Sequence, residues 1–399
     1  VNGNIKASYS LTKEGEPMAS QQVISADSHM MEPANLWVER LDAKFRDIAP
    51  RVIKKDEKSG YVFVAPGVPS FPVAGGFAAG RSGDDLKDFL KKGQDAGYIT
   101  ARPSGWDPVE RLKDQDIDGV KAEVLYTTLG MTLFGLHDAD LQRACFRAYN
   151  DWLAEFCAHS PNRLIGAALI SLEDLNDGVA ELQRAAKIGL RGAMIWGAPP
   201  RERPYTSKEY DPFWAAAQDL QMPLSLHVIT GKKPPKSEEE RNKIKQDRDP
   251  SFVRGYMNLI HEVQRSLTDI IFSGVMMRFP KIRIVSAEND TGWIAHYMYR
   301  MDHAFEKFGA LMNQPLDMKP SEYVRRNMWA TFQDDPIGPM LFKYFGSDNF
   351  MWASDFPHTD STWPNSLKVI EQSFEGVPAD VTRKIICDNA AKLYHIDLN

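Results

Sequence analysis

Eight short apolar runs constrain this chain more than any other feature, because most of them are followed by a longer stretch with apolar residues at helical spacing. They are Val23–Ala26 (VISA), Ala122–Thr127 (AEVLYT), Leu164–Ile170 (LIGAALI), Arg191–Trp196 (RGAMIW), Pro223–Val228 (PLSLHV), Ile282–Ala287 (IRIVSA), Met328–Phe332 (MWATF) and Met351–Ser354 (MWAS). Between them, segments such as 174–188 and 212–220 carry helical periodicity with acidic residues near their starts, where a carboxylate meets the positive end of the helix dipole. Strand and helix alternating eight times predict an α/β fold, a (β/α)8 barrel of the TIM type. A doubly wound open sheet is the competing arrangement, since strand count alone does not close a sheet.

At 399 residues the chain suits one barrel with insertions. Residues 1–20 show no periodicity and read as a disordered tail, leaving 21–399 as the barrel domain. One insertion, from about Asn35 to Gly105, follows the first strand, is rich in Gly and Pro, and is expected to cover one barrel end. The other, Gly231–Pro250, is a strongly polar loop after the fifth strand. It reads as a solvated excursion or as a gate at the barrel mouth.

Charge narrows the partners. A net charge of −6 gives no general attraction for nucleic acid or anionic lipid, so a small molecule is the expected partner. No run approaches the ~20 apolar residues that cross a bilayer, and none resembles a signal-peptide core, so a cytoplasmic location is expected. Cys145, Cys157 and Cys387 are odd in number, lack C-x-x-C spacing, and read as reduced thiols.

The chemistry-bearing residues gather at strand ends. Asp27 and His29 are two apart, so on an extended strand their side chains point the same way. His227 ends the fifth run and Asp355 follows the eighth. In a barrel these four meet at the C-terminal mouth, where such folds keep their active sites. Taken singly, each reads as a hydrogen-bonded structural residue. Together, two imidazoles and two carboxylates without a thiolate make a ligand set for one divalent ion: Zn, Mn or Fe.

With these motifs in view, the chain resembles the amidohydrolase superfamily, in the branch of aminocarboxymuconate-semialdehyde decarboxylase. The likeness runs from Val23 to Tyr394. It includes the first-strand D-S-H, the approach to strand five (PFWAAAQDLQMPLSLH), the run Phe272–Val285 (FSGVMMRFPKIRIV), the eighth-strand SDFPH and the closing DNAAKLY from Asp388. The resemblance implies a distorted (β/α)8 barrel, a mononuclear divalent metal, a homo-oligomer, and decarboxylation or hydrolysis of an aromatic or muconate-like carboxylate. Two positions depart from the family pattern. Asp27 stands where many members have His, and Glu288 stands where the decarboxylases have a catalytic His. A carboxylate can accept a proton or bind a metal but cannot act as an imidazolium.

The expected roles follow. Asp27, His29, His227 and Asp355 hold the ion, and Glu288 and Asp355 handle protons. Trp196 and His358 face the substrate, although an aromatic at a strand end is often core and His358 has a loop-packing role as its alternative. Glu32, His261 and Glu288 are surplus to one metal: either Glu32 starts a loop beside Pro33, His261 is a helix-surface or core residue and Glu288 supports the ligands, or together they complete a second site like that of the oxygen-using diiron members of the superfamily. The chain is thus expected to be a metal-dependent lyase or hydrolase, with a dinuclear iron oxygenase and a noncatalytic subunit of a hetero-oligomer as the alternatives.

Overall fold

The computed structural model describes residues 21–56, 60–232 and 257–398. The residues read as a tail, 1–20, and nearly all of the polar loop lie outside them. In chain order the strands are β1 (Ile24–His29), β2 (Arg51–Lys54), β3 (Tyr61–Val64), β4 (Phe71–Pro72), β5 (Ala122–Tyr126), β6 (Leu164–Leu169), β7 (Gly192–Ile195), β8 (Leu224–His227), β9 (Ile284–Ala287), β10 (Met328–Phe332) and β11 (Phe350–Trp352). Each of the eight anticipated runs overlaps one strand of a parallel sheet, ordered β1-β5-β6-β7-β8-β9-β10-β11.

The sheet closes. Beyond β11 the chain returns to β1, where the Asp355 N–H donates to Asp27 O at 3.0 Å and the His29 N–H donates to Phe356 O at 2.6 Å. Closure satisfies backbone groups that an open edge would leave bare, and it decides the barrel over the open sheet. All residues of the eight barrel strands are buried, as expected for parallel strands covered on the inside by their own side chains and on the outside by helices.

The acidic residues ahead of the helical patterns are caps. Asp107, Asp138 and Asp174 accept from backbone N–H groups in the first turns of helices Pro108–Asp118, Ala139–Cys157 and Leu175–Lys187. Each satisfies donors that a helix start leaves free.

Two boundaries differ from the sequence expectation in a way that matters for the site. The first run ends at Ala26 by composition, yet β1 continues to His29, because the backbone of this polar segment finds partners on β5 and on the returning chain. Strand β1 also bulges: Ser25 pairs with Glu123 and Ser28 with Leu125, so three steps on one strand oppose two on the other. The eighth barrel strand stops at Trp352, and Asp355 sits three residues past it with φ of 54°.

The insertion after β1 has structure that periodicity did not reveal: an antiparallel sheet ordered β2-β3-β4 and the helix Gly83–Ala96. It reaches the barrel mouth as expected of a cover. The Ala79 N–H donates to Pro357 O and the Thr359 hydroxyl donates to Gly75 O, both at 3.0 Å. The three cysteines are buried free thiols, and among the described residues no helix is long and apolar enough to cross a membrane.

Candidate metal centre

Asp27 and His29 leave β1 on the same face despite the bulge, with Asp27 Oδ1 3.5 Å from His29 Nε2. His227, the last residue of β8, brings its Nε2 to 3.7 Å from the same oxygen. Asp355 Oδ1 lies 3.5 Å from His29 Nε2. Glu288, one residue beyond β9, sets Oε2 at 3.4 Å from His227 Nε2. Five residues on or just past strands distant in sequence therefore line one site: Asp27, His29 and His227 bring ligand atoms within 4.8 Å of one another, as do His29, Asp355 and His358, and four of the five are wholly buried.

Their hydrogen bonds determine which atoms are free. His29 Nδ1 lies 2.7 Å from Thr127 O and His227 Nδ1 3.1 Å from Val228 O. A carbonyl only accepts, so each Nδ1 carries a proton, and when the ring is neutral its Nε2 presents the lone pair. Asp27 Oδ2 accepts from Thr331 Oγ1 at 3.0 Å, leaving Oδ1 free. Asp355 Oδ1 lies 3.0 Å from His358 Nδ1, leaving Oδ2 free. The atoms without a hydrogen-bond partner include Asp27 Oδ1, His29 Nε2, His227 Nε2, Asp355 Oδ2 and Glu288 Oε2.

Each buried polar atom left unpaired costs roughly 1–3 kcal/mol. Asp27, His29 and His227, whose ligand atoms lie within 4.8 Å of one another, form a group able to share a cation, and His29, Asp355 and His358 form a second such group. Bonds of about 2.0–2.2 Å to one ion hold donor atoms several tenths over 3 Å apart, close to the 3.5 and 3.7 Å that separate Asp27 Oδ1 from His29 Nε2 and His227 Nε2. Imidazole nitrogen with carboxylate oxygen suits a borderline-to-hard divalent ion.

The electrostatics are those of a crowded, desolvated cluster. Burial would raise Asp27, but contact with His227 and His29 outweighs it and holds the carboxyl below the usual range. Burial, reinforced by His358, pushes His29 down to about 4. On His227 burial works downward, yet Asp27 lifts the imidazole to about 9. Burial raises Asp355 to about 8, and with Asp355 nearby it raises Glu288 as well. Two of these groups, Glu288 and Asp355, hold unusual left-handed backbone, with φ of 55° and 54°, which a non-glycine residue adopts at some cost.

His358 belongs to the same cluster. Its ring centroid lies 4.0 Å from that of His29 with the planes tilted by 32°, its Nδ1 faces Asp355, and its Nε2 lies 2.8 Å from Thr128 Oγ1. Trp196, just past β7, is buried with Nε1 unpartnered, and its carbonyl accepts from Tyr205 Oη at 2.6 Å.

The second-metal trio is not assembled, which corrects the sequence expectation. His261 stands on an exposed face of helix Ile260–Phe272, its Nδ1 3.1 Å from Gln264 Oε1. Glu32 is buried, but both its oxygens already accept hydrogen bonds, from Thr127, Leu129 and Gly130. Of the three, only Glu288 has a free oxygen beside the ligands.

Three supporting residues escaped the sequence reading. Thr331 holds Asp27, Thr127 holds His29, and buried Arg111 donates to His29 O at 2.8 Å, to Phe356 O at 3.3 Å and to Glu123 Oε2 at 2.6 Å, bracing the β1–β11 seam from behind. Thr331 lies on a recognised strand and carried a weak signal. Arg111 lies mid-helix among charged residues and carried none.

Fold and site define an enzyme class: a parallel barrel with its chemistry gathered at the C-terminal ends of the strands. Residues 63–396 match the profile of the amidohydrolase family, and the chain is an enzyme belonging to that family. Its sequence relatives include gamma-resorcylate decarboxylase of Rhizobium sp. (strain MTP-10005), 24% identical over 311 residues, which are 72% of this chain and 86% of that protein. An amidohydrolase from Mycobacterium avium subsp. paratuberculosis K-10 superposes with a TM-score of 0.74 at 20% identity, covering 95% of this chain and 99% of its own. Dihydroxybenzoic acid decarboxylase from Polaromonas sp. JS666, solved with bound manganese and the inhibitor 2-nitroresorcinol, superposes with a TM-score of 0.64 at 17% identity, covering 94% and 97%. At these identities the superpositions establish the barrel fold.

Proposed function

We propose that the chain is a divalent-metal-dependent decarboxylase acting without oxidation on a small hydroxylated aromatic carboxylate. Asp27, His29, His227 and Asp355 hold one ion. The observation that carries this reading is the grouping of Asp27, His29 and His227, whose ligand atoms lie within 4.8 Å of one another, with Asp355 joined to them beside His29. The activities of the gamma-resorcylate and dihydroxybenzoic acid decarboxylases that the chain resembles, and the manganese in the latter, favour this chemistry over hydrolysis.

Bound here, the ion supplies Lewis-acid charge for a substrate carboxylate and the oxygen beside it. The remaining tasks fall to side chains. Glu288, with its free Oε2 at the mouth, delivers a proton to the ring carbon. As the bond to the carboxylate breaks, its electron pair stays on that carbon and forms the new C–H bond, and CO2 leaves. His358 keeps Asp355 Oδ1 engaged so that Oδ2 serves the ion. Trp196 lines the pocket wall beyond β7.

The test is elemental analysis of protein purified without chelator, followed by anaerobic incubation with 2,6-dihydroxybenzoate and related hydroxybenzoates. We expect about one divalent ion per chain and CO2 release that chelation abolishes. Products that incorporate oxygen, or an absence of CO2 from every hydroxybenzoate at full metal loading, would overturn the proposal.

A further inference from the structure

Glu32 is fully buried, three residues past His29, and none of its contacts is to the five converging groups. Its carboxylate instead binds one short segment at the end of β5. Oε1 accepts from the Thr127 hydroxyl and from the Gly130 N–H at 3.1 Å, and Oε2 accepts from the Leu129 N–H at 2.9 Å. Every donor is an N–H or O–H, which an acceptor-only carboxylate matches on both oxygens.

That segment in turn holds two imidazoles of the site. Thr127 O takes the Nδ1 proton of His29 at 2.7 Å, and Thr128 Oγ1 lies 2.8 Å from His358 Nε2. The rings so held are the pair whose centroids lie 4.0 Å apart. The turn is drawn tight: a Cβ on Gly130 would come within 2.2 Å of Thr127 Oγ1, so only glycine fits there. The insertion is fastened at the same place, since the Tyr98 hydroxyl donates to Glu32 O at 2.5 Å.

We infer that Glu32 is a positioning residue: through Thr127–Gly130 it sets the orientation of His29 and His358, and with it the site's affinity for its ion. This rests on the metal reading above. A buried carboxylate of this kind does its work by restricting a neighbour. Without it, Thr127 O is free to swing, and His29 loses the bond that fixes both its ring plane and its tautomer.

The experiment compares Glu32→Gln, Thr127→Val, the double variant and Thr127→Ser in full-length protein. It measures the Mn2+ dissociation constant and stoichiometry by calorimetry, and the Tm of the chelator-treated form. Glu32→Gln turns one acceptor into a donor facing donors, and Thr127→Val removes the hydroxyl. Each should weaken Mn2+ binding by about 10–100-fold, the usual effect of losing a group that orients a ligand. Because the two act through one bond, the double variant should be no weaker than the worse single variant. Thr127→Ser should bind like wild type.

Five results bear the other way or sort the causes. Single variants that lower Tm but keep the wild-type dissociation constant overturn the inference, as do losses that multiply. A stoichiometry falling from two ions to one would make Glu32 a ligand and also overturn it. If Glu32→Gln does not fold, Thr127→Val and Thr127→Ser carry the comparison. If wild type itself takes up no Mn2+ and no other divalent ion, the metal reading fails rather than this refinement of it.

Discussion

The ends of β1 and β9 each present a glutamate beside a histidine of the site, and the two residues behave differently. Glu32 accepts from three donors, so neither oxygen is left over. Glu288 sits on left-handed backbone, its N–H is held by Thr331 Oγ1 at 2.9 Å, and its Oε2 has no partner except His227 Nε2 across 3.4 Å. Residue type and enclosure are nearly the same. The number of donors already committed is what separates a carboxylate that shapes the site from one free to react in it.

The largest effect that would break this contrast comes from Glu288→Gln. We expect kcat to fall about 10²–10⁴-fold, the usual worth of a positioned proton donor, with the ion still bound. Steady-state kinetics beside metal analysis would check this, and unchanged kcat would remove Glu288 from the chemistry. Removing the ion should act on both regions through the ligands they share. At a free metal concentration near 100 times Kd the bound ion contributes about 2.7 kcal/mol of stability, so chelation should lower Tm measurably and re-addition restore it. An unchanged Tm would show that neither region is braced by metal.

The finest test is Thr331→Val, because that hydroxyl bridges the two regions by donating to Asp27 Oδ2 and accepting from the Glu288 N–H. Losing it unpairs the buried Asp27 Oδ2 and the partly buried Glu288 N–H, at a cost of about 1–3 kcal/mol each in urea unfolding of the metal-free protein. A neutral result would mean that the β1 and β9 sides are held independently.

Much of the site was legible beforehand. Asp27 and His29 stood two apart beside an apolar run, and His227 and Asp355 stood at the ends of others, so barrel topology alone predicted that they meet. For the trio of Glu32, His261 and Glu288 the sequence left structural roles and a second metal site side by side, for a specific reason. Spacing shows that residues come near the mouth, but not whether another group has already claimed their lone pairs. Thr127 and Leu129, which claim those of Glu32, are ordinary strand-end and loop residues in the sequence. The sheet β2-β3-β4 was missed because Gly and Pro dominate that insertion, and its short strands are held by pairing with each other rather than by a periodic apolar face.

By itself the amino-acid order determined the alternation of strands and helices, the cluster of metal-type residues at strand ends, and the insertion that covers the mouth. These follow from local periodicity and from the fixed geometry of parallel strands. Only the tertiary structure decided that the sheet closes at β1 and β11, that Asp355 turns inward from left-handed backbone, and that Glu32 is saturated while Glu288 is not. Those outcomes depend on hydrogen bonds between residues up to 329 positions apart in the chain, such as Ser25 and Ser354, and no local pattern encodes such pairings.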